Sequence, residues 1–502
     1  MKKFLLMMLC FAVSYMVSAE TIVSGTIIDE EDQPLIGGSV IVVGTTQGTS
    51  TDIDGSFKLT VREGNKIQVS YLNYKTLTID VETNQATQDL GVIKMKPEVI
   101  AMEDIVISQS VAIQRRTPVA VATVPVQEIE LKIGGQEFPE VLKSTPGVYV
   151  TKDGGGYGDS KINMRGFKSA NIAVMINGVP VNDMEWGGLY WSNWAGLSDV
   201  TRSMQTQRGM GASKISSPSV GGTINIITNT IDAKKGGTIS YGIGNDGANT
   251  VSASVSTGLM DNGWAMSVLL AKRWGDGYIQ GTGYSAYNWF FNISKRINDN
   301  HQISLTAFGA PQTHNQRKPL YAGLSIEEWD KVAKWTGEKN KYRYNAIYGF
   351  DKNGKERSSM VNKYHKPQIS LNHQWQIDHK SSLSTALYMS IGRGSGYSGQ
   401  GRTSAYRSMW NGSSNGQLLY NFRKEDGTFD YGAIQDMNAA SETGSNMIMS
   451  KSNNNHMWYG LLSTYTNELL PGLELSAGVD VRYYMGEHTN EIIDLYDGAY
   501  FI

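Results

Sequence analysis

Cysteine is almost missing. The chain has 502 residues and one cysteine, Cys10. It lies inside an apolar stretch, Phe4–Val17, that follows Lys2 and Lys3 and precedes the small residues Val17-Ser18-Ala19. That order is the pattern of a secretory signal, so residues 1–19 are expected to be removed. A lipoprotein cysteine would follow the apolar stretch rather than interrupt it. The mature chain then has no cysteine, which excludes disulfides, thiol catalysis and Cys-ligated metals. No later run reaches the ~18 apolar residues of a spanning helix. Charge is scarce and balanced: 45 Lys and Arg against 47 Asp and Glu, 18% of the chain, below the ~25% of soluble domains. Such a balance lacks the basic face that nucleic acid requires, so no nucleic-acid partner is expected. Proline, at 12, is too rare for a Pro-rich disordered chain.

Glycine (55), tyrosine (26) and tryptophan (11) are plentiful instead. This composition points to many strands and turns with aromatic anchoring. Over 20–97, short strand-like runs (Ile22–Ile28, Ser39–Val43, Ser56–Val61, Lys66–Tyr71, Thr76–Val81) alternate with turn residues such as Gly37-Gly38 and Asp54-Gly55. The spacing predicts a small β-sandwich. Val23-Ser24-Gly25-Thr26, Pro34-Leu35-Ile36-Gly37-Gly38-Ser39-Val40 and Thr51-Asp52-Ile53-Asp54-Gly55-Ser56-Phe57 resemble the carboxypeptidase regulatory-like domain. That domain is non-catalytic in its family, and the segment holds no histidine for a peptidase zinc.

Residues 98–110 read as a linker and 111–233 as a mixed α/β segment. In the latter, Val119–Val126 is expected as a strand and Gln136–Lys143 as a short helix. Ile162-Asn163-Met164-Arg165-Gly166-Phe167, Val174–Asp183 and Gly221–Thr228 follow in an order that resembles the plug domain of TonB-dependent outer-membrane receptors. Arg208-Gly209-Met210-Gly211 stands where many members carry Arg-Gly-Pro, and resembles the branch common in Bacteroidetes, which also tends to carry the N-terminal sandwich. By that resemblance Asp104, Ile105, Val106, Ile107 and Ser108 occupy the place of the TonB box. Such a box is an extended peptide that adds to a partner's sheet edge; the alternative is a plain connecting strand.

From 234 to 502 the period becomes two. Ile369, Leu371, His373, Trp375 and Ile377 share one face; Gln368, Ser370, Asn372, Gln374 and Gln376 share the other. Tight turns (Met260–Asn262, Asn298–Asn300, Asp378–Ser381, Glu468–Gly472) alternate with long polar segments, 311–364 and 393–455. Short turns on one side and long loops on the other predict an outer-membrane barrel. The fold expected is therefore mainly β: sandwich, α/β plug, then the first part of a transmembrane antiparallel barrel. Nine strands are expected here, whereas a plugged transporter barrel has about 22. The sequence is expected to be an N-terminal fragment of a longer reading frame.

No Gly-x-Ser-x-Gly elbow, phosphate loop or His-Glu-x-x-His is present. No catalytic residue, cofactor or metal is expected, and the chain is not expected to be an enzyme. The densest aromatic cluster is Trp186, Tyr190, Trp191 and Trp194, just after Asn182-Asp183-Met184-Glu185. Two readings stand side by side: packing of the plug against the barrel wall, and a stacking platform for a ligand. Arg165-Gly166 and Arg208-Gly209 read as structural positions that hold the plug. The resemblance implies an outer-membrane receptor for active uptake of an extracellular ligand. Its implied partners are TonB, membrane lipid and, in this branch, a surface lipoprotein. The alternative is a passive porin or adhesin that kept a plug-like domain.

Overall fold

The computed structural model describes residues 20–29, 32–62, 66–71, 74–82, 85–96, 120–134, 136–152, 157–158, 160–209, 219–317, 323–470 and 472–502. The chain forms two compact units that divide between Val106 and Ile107.

The first unit is the expected sandwich. Glu20–Ile28 pairs antiparallel with Ser56–Arg62 and parallel with Thr87–Lys94. A second sheet orders Gly48–Ser50, Ser39–Val42, Lys66–Ser70 and Leu77–Asp80. Strict alternation along the first strand turns Val23 and Ile27 inward onto Val40, Phe57, Leu59, Ile67 and Val69. Gly25 shares that inward face, and a Cβ there would sit 3.1 Å from the Phe57 ring. The glycine is therefore the space that Phe57 fills. At the Thr51–Phe57 hairpin, Asp52 accepts from the Asp54 and Ser56 amides at 3.1 and 2.9 Å, and Gly55 takes φ 73°. The strands Gly48–Ser50 and Thr87–Lys94 were not expected; the first is too short, and the second too polar, to show a period.

In the second unit, a five-stranded plug sheet runs Val179–Pro180, Ile172–Ile176, Gly222–Thr228, Thr201–Arg208, Ala120–Pro125. Ile172–Ile176 and Gly222–Thr228 are parallel and buried at every position, as strands covered on both faces are. The expected strand ends at Pro125, and an unforeseen α-helix, Val126–Ile133, follows. It turns Val126, Ile129 and Ile133 to one face, with Ile129 fully buried, a stripe of two turns that is short beside the strand before it. The expected helix at Gln136–Lys143 is instead a 3-10 helix, Phe138–Ser144. Pro139 opens it, and its side chains Phe138, Val141 and Leu142 enter the plug core.

The wall is one antiparallel sheet of 11 strands. The nine expected strands are present, each hydrogen-bonded to the next in chain order, but the last three run longer than expected, as Ser381–Gly401, Met447–Leu470 and Leu473–Asp494, and take in both ends of the segment 393–455. Two short ones, Gln312–Asn315 and Val361–His365, extend it on the long-loop side. Its burial is inverted relative to a soluble sheet. In Gln368–Gln376 the polar residues Gln368, Ser370, Asn372 and Gln374 are buried, while Ile369 and Leu371 are exposed. The neighbouring strand repeats this: Gln302, Ser304 and Thr306 face the plug side. Several of the buried groups pair laterally, as Ser294–Ser304 at 2.8 Å and Asn292–Thr306 at 2.8 Å. Apolar outside and polar inside is what lipid demands of a barrel wall. Among the described residues no helix is long and apolar enough to cross a membrane.

The two long loops fold together. Gly349–Phe350 from the first lies parallel beside Phe429–Asp430 from the second. Trp410, Phe429, Tyr431, Ile434 and Tyr496 form one small core there, and Val332, Tyr344, Ala346 and Leu418 another.

Candidate functional site: the plug apex and its seat in the wall

The sequence places Asn182–Tyr190 after the short strand Val179–Pro180, and the structure holds this loop firmly. Asn182 accepts from the Val174 amide at 2.7 Å and donates to Ile172 O and Gly187 O at 2.9 and 2.7 Å. Asp183 accepts from the amides of Glu185 and Trp186 at 2.9 and 3.1 Å. One amide side chain and one carboxylate thus satisfy a turn that no sheet serves.

The aromatic cluster divides. Trp191 and Trp194 lie on one 3-10 turn and point into the molecule. Trp194 is 1% exposed and lies parallel to Phe308 of the wall, ring centres 5.9 Å apart. Trp191 meets Phe138 edge to face at 6.2 Å. Trp186 and Tyr190 are 44% and 53% exposed, their rings 5.0 Å apart and tilted by 51°. Packing therefore accounts for two of the four. The other two form a solvent-facing aromatic pair beside Asp183 and Glu185.

Arg165 and Gly166 form the two-residue turn between Lys161–Met164 and Phe167–Lys168, with φ of 52° and 84°. Arg208 donates to Pro146 O at 2.9 Å. Gly209 takes φ 81°, and a Cβ there would lie 2.6 Å from an Arg165 nitrogen. These four positions lie close together at the surface of the plug, Arg165 and Gly166 exposed and Arg208 and Gly209 half-buried. The box residues Asp104, Ile105, Val106, Ile107 and Ser108 lie outside the described residues.

Three contacts between plug and wall were not read from the sequence. Arg273 of the wall binds Asp199 of the plug. Asn288 donates to Ala195 O, where the left-handed Gly196 leaves room for its side chain. His488 meets Glu185 at 2.8 Å. The partners are 74, 93 and 303 residues apart, so no local pattern marks them. A cavity of about 330 Å³ opens between plug and first strands, lined by Tyr157, Trp191, Trp194, Asp199, Tyr241 and Arg273. Among the described residues no three His, Cys, Asp or Glu side chains gather in a metal-sized group.

On the outer side, Glu328 joins the two loops. It accepts from Lys331 at 2.6 Å, from the Leu418 amide at 3.0 Å and from Tyr420 OH at 2.9 Å. Burial pulls its carboxyl up, but these three donors together outweigh burial and hold it below its usual range. Asp351 behaves alike. Burial raises it, and bonds from the Lys355 amide, Arg357 and the Asn353 amide bring it lower.

Comparison with known proteins agrees with this arrangement. Residues 23–107 match the family model of the CarboxypepD_reg-like domain, and residues 113–223 match that of the TonB-dependent Receptor Plug Domain. A TonB-dependent receptor of Formosa agariphila is 30% identical over 174 residues, 33% of this chain and 16% of its own length. The vitamin B12 transporter BtuB of Photobacterium profundum is 29% identical over 200 residues, 38% of this chain and 32% of its own. The TonB-dependent receptor SusC of Bacteroides thetaiotaomicron is 29% identical over 166 residues, 32% of this chain and 16% of its own. The chain thus spans a third or less of these curated relatives. Among solved structures, the ferripyoverdine receptor of the outer membrane of Pseudomonas aeruginosa superposes with a TM-score of 0.51 at 13% identity, covering 83% of this chain and 52% of that one. At that identity the likeness concerns the fold alone. The chain carries in tandem a segment that matches the carboxypeptidase regulatory-like domain and one that matches the plug domain of the TonB-dependent receptors, and over those two segments it is similar to that family.

Proposed function

We propose that this chain serves energised uptake across the outer membrane of a Gram-negative bacterium. The observation that carries the reading is a plug seated against an inverted, polar-inside wall by specific contacts, Asp199–Arg273 foremost. A passive pore has no need of such a seated plug. Ligand binds at the outer side, where Trp186 and Tyr190 offer an aromatic pair with carboxylates beside it; such a platform suits stacking of a ring against fixed polar contacts. The folded loops above, 311–364 and 393–455, supply further contacts. Asp104–Ser108 is the TonB box. It adds as a strand to TonB, and pulling on it displaces the plug; the inner-membrane complex supplies the energy, since no nucleotide site was read in the chain. Ligand at one end and box at the other are then coupled sites. A surface lipoprotein is a further partner, and the sandwich is a spacer or docking module in the periplasm. The matched relatives are receptors and transporters, and in this reading the chain is no enzyme.

Deleting residues 103–109 tests it. Uptake falls to background while surface binding persists. Unchanged uptake overturns the energised reading in favour of a passive porin or adhesin.

A further inference from the structure

The last strand, Leu473–Asp494, runs 22 residues up from the tight turn at 468–472. A tilted strand crosses the bilayer in about 9–11 residues. The second half of this one, from about Met485, therefore stands beyond the lipid on the long-loop side. Its plug-side residues meet the apex loop in register. Arg482 approaches the Met184 sulfur at 3.9 Å. At Gly486 a Cβ would come within 2.5 Å of Glu185 Oε1, so glycine leaves the gap that the carboxylate enters. His488 Nε2 then meets Glu185 Oε1 at 2.8 Å.

The other ring nitrogen decides the chemistry. His488 Nδ1 lies 2.8 Å from Asn454 Oδ1, while the Asn454 amide nitrogen is turned to Ser452 O at 3.4 Å. Both imidazole nitrogens therefore face oxygens that only accept. A neutral ring carries one N–H and satisfies one of them; the imidazolium satisfies both. Most of the surrounding ionisable groups are engaged elsewhere. Asp183 is occupied within its own turn. Arg482 is held by Asp480, and Glu487 by Asn455 at 3.2 Å. Tyr484, also plug-facing, stacks toward His456, and its hydroxyl adds a hydrogen bond to Glu185 that does not depend on the charge of the His488 imidazole. His456 faces the hydroxyls of Tyr364 and Ser390 at 3.2 and 3.3 Å, which serve a neutral ring equally well. Lys366 lies over the Trp458 ring at 5.7 Å.

We propose that His488 is a positioning residue for the plug apex, holding Glu185 and its loop against the wall more tightly when its imidazole is protonated than when it is neutral. Its purpose rests on the uptake reading above, because Glu185 adjoins the Trp186–Tyr190 pair where ligand is proposed to bind. Its physical content does not, because the latch is measured without ligand or TonB.

The test is amide exchange of the segment 182–190 in the full chain in outer-membrane vesicles, each pH normalised to the unfolded-chain rate. Imidazole changes charge between about pH 5 and 8. An exposed pair of this kind changes protection by about two- to fivefold. Protection is expected to fall by that factor from the acid to the alkaline end. The fall vanishes in His488→Gln and in Glu185→Gln, while segment 222–228 of the plug core stays unchanged in both. A pH-independent wild type, or an undiminished fall in His488→Gln, overturns the proposal. Loss of uptake on deleting 103–109 bears on the uptake reading alone.

Discussion

Arg273 grips Asp199 with a single nitrogen that reaches both carboxylate oxygens, at 2.8 and 2.7 Å. One residue belongs to the wall and the other to the plug. Both side chains are about four-fifths buried, at 17% and 21% exposure. Losing one partner strands the other, which costs more than the pair itself contributes. Asp199→Asn is expected to destabilise plug seating by about 1–3 kcal/mol. Arg273→Met combined with Asp199→Leu should recover part of that. Denaturant titration of the plug, followed by amide exchange of Thr201–Arg208, checks both.

The divided aromatic cluster gives a sharp contrast. Trp194→Ala empties a buried site against Phe308 and is expected to cost about 3–5 kcal/mol. Trp186→Ala removes a half-exposed ring and should change stability by no more than about 0.5 kcal/mol, while weakening ligand capture. Thermal unfolding and surface binding, measured on both variants, separate the two roles.

Glu328 makes the joined loops acid-sensitive. Its carboxyl is held lower in the folded chain than in the unfolded one, where it titrates near about 4.3. The stabilisation is therefore complete above the unfolded value and is lost as pH falls through the folded one. Protease resistance of the loops should stay constant from about pH 7 to 5 and drop below about pH 4. Glu328→Gln should lower resistance at neutral pH and flatten the acid drop.

Arg423 donates to Leu419 O, Gly427 O, Ala346 O and Gly412 O at 3.2, 2.7, 3.2 and 3.0 Å, and to Tyr344 OH. An ammonium cannot span these acceptors as a planar fork does. Arg423→Lys should cost the Ala346 and Leu419 carbonyls their donor, while Gly412 O keeps the Leu419 amide and Gly427 O keeps Tyr344 OH, for a loss of about 1–3 kcal/mol of local stability. Limited proteolysis near 412–427 reads this directly.

Much of the wall was legible because its two faces differ in kind. Gln368, Ser370, Asn372 and Gln374 cannot alternate with Ile369 and Leu371 by accident of packing, and the structure buries the polar set. The plug helix Val126–Ile133 was missed although Val126, Ile129 and Ile133 are spaced as one helical face, because the stripe spans only two turns and follows directly on a strand. The apex was legible as an aromatic cluster but not as a divided one. The local turn that sends Trp191 and Trp194 inward leaves no mark in composition. The contacts Asp199–Arg273 and Glu185–His488 join residues that only the closed fold brings together.

The parallel bridge of Gly349–Phe350 with Phe429–Asp430 binds the two long loops into one folding element. Their sequences are therefore not independent variables. A loop taken singly from a relative would import half of a core and strand Tyr344 or Phe429 without its partners. Changes of ligand preference in this chain should travel as matched pairs of loops, and an engineered exchange has to carry 311–364 and 393–455 together.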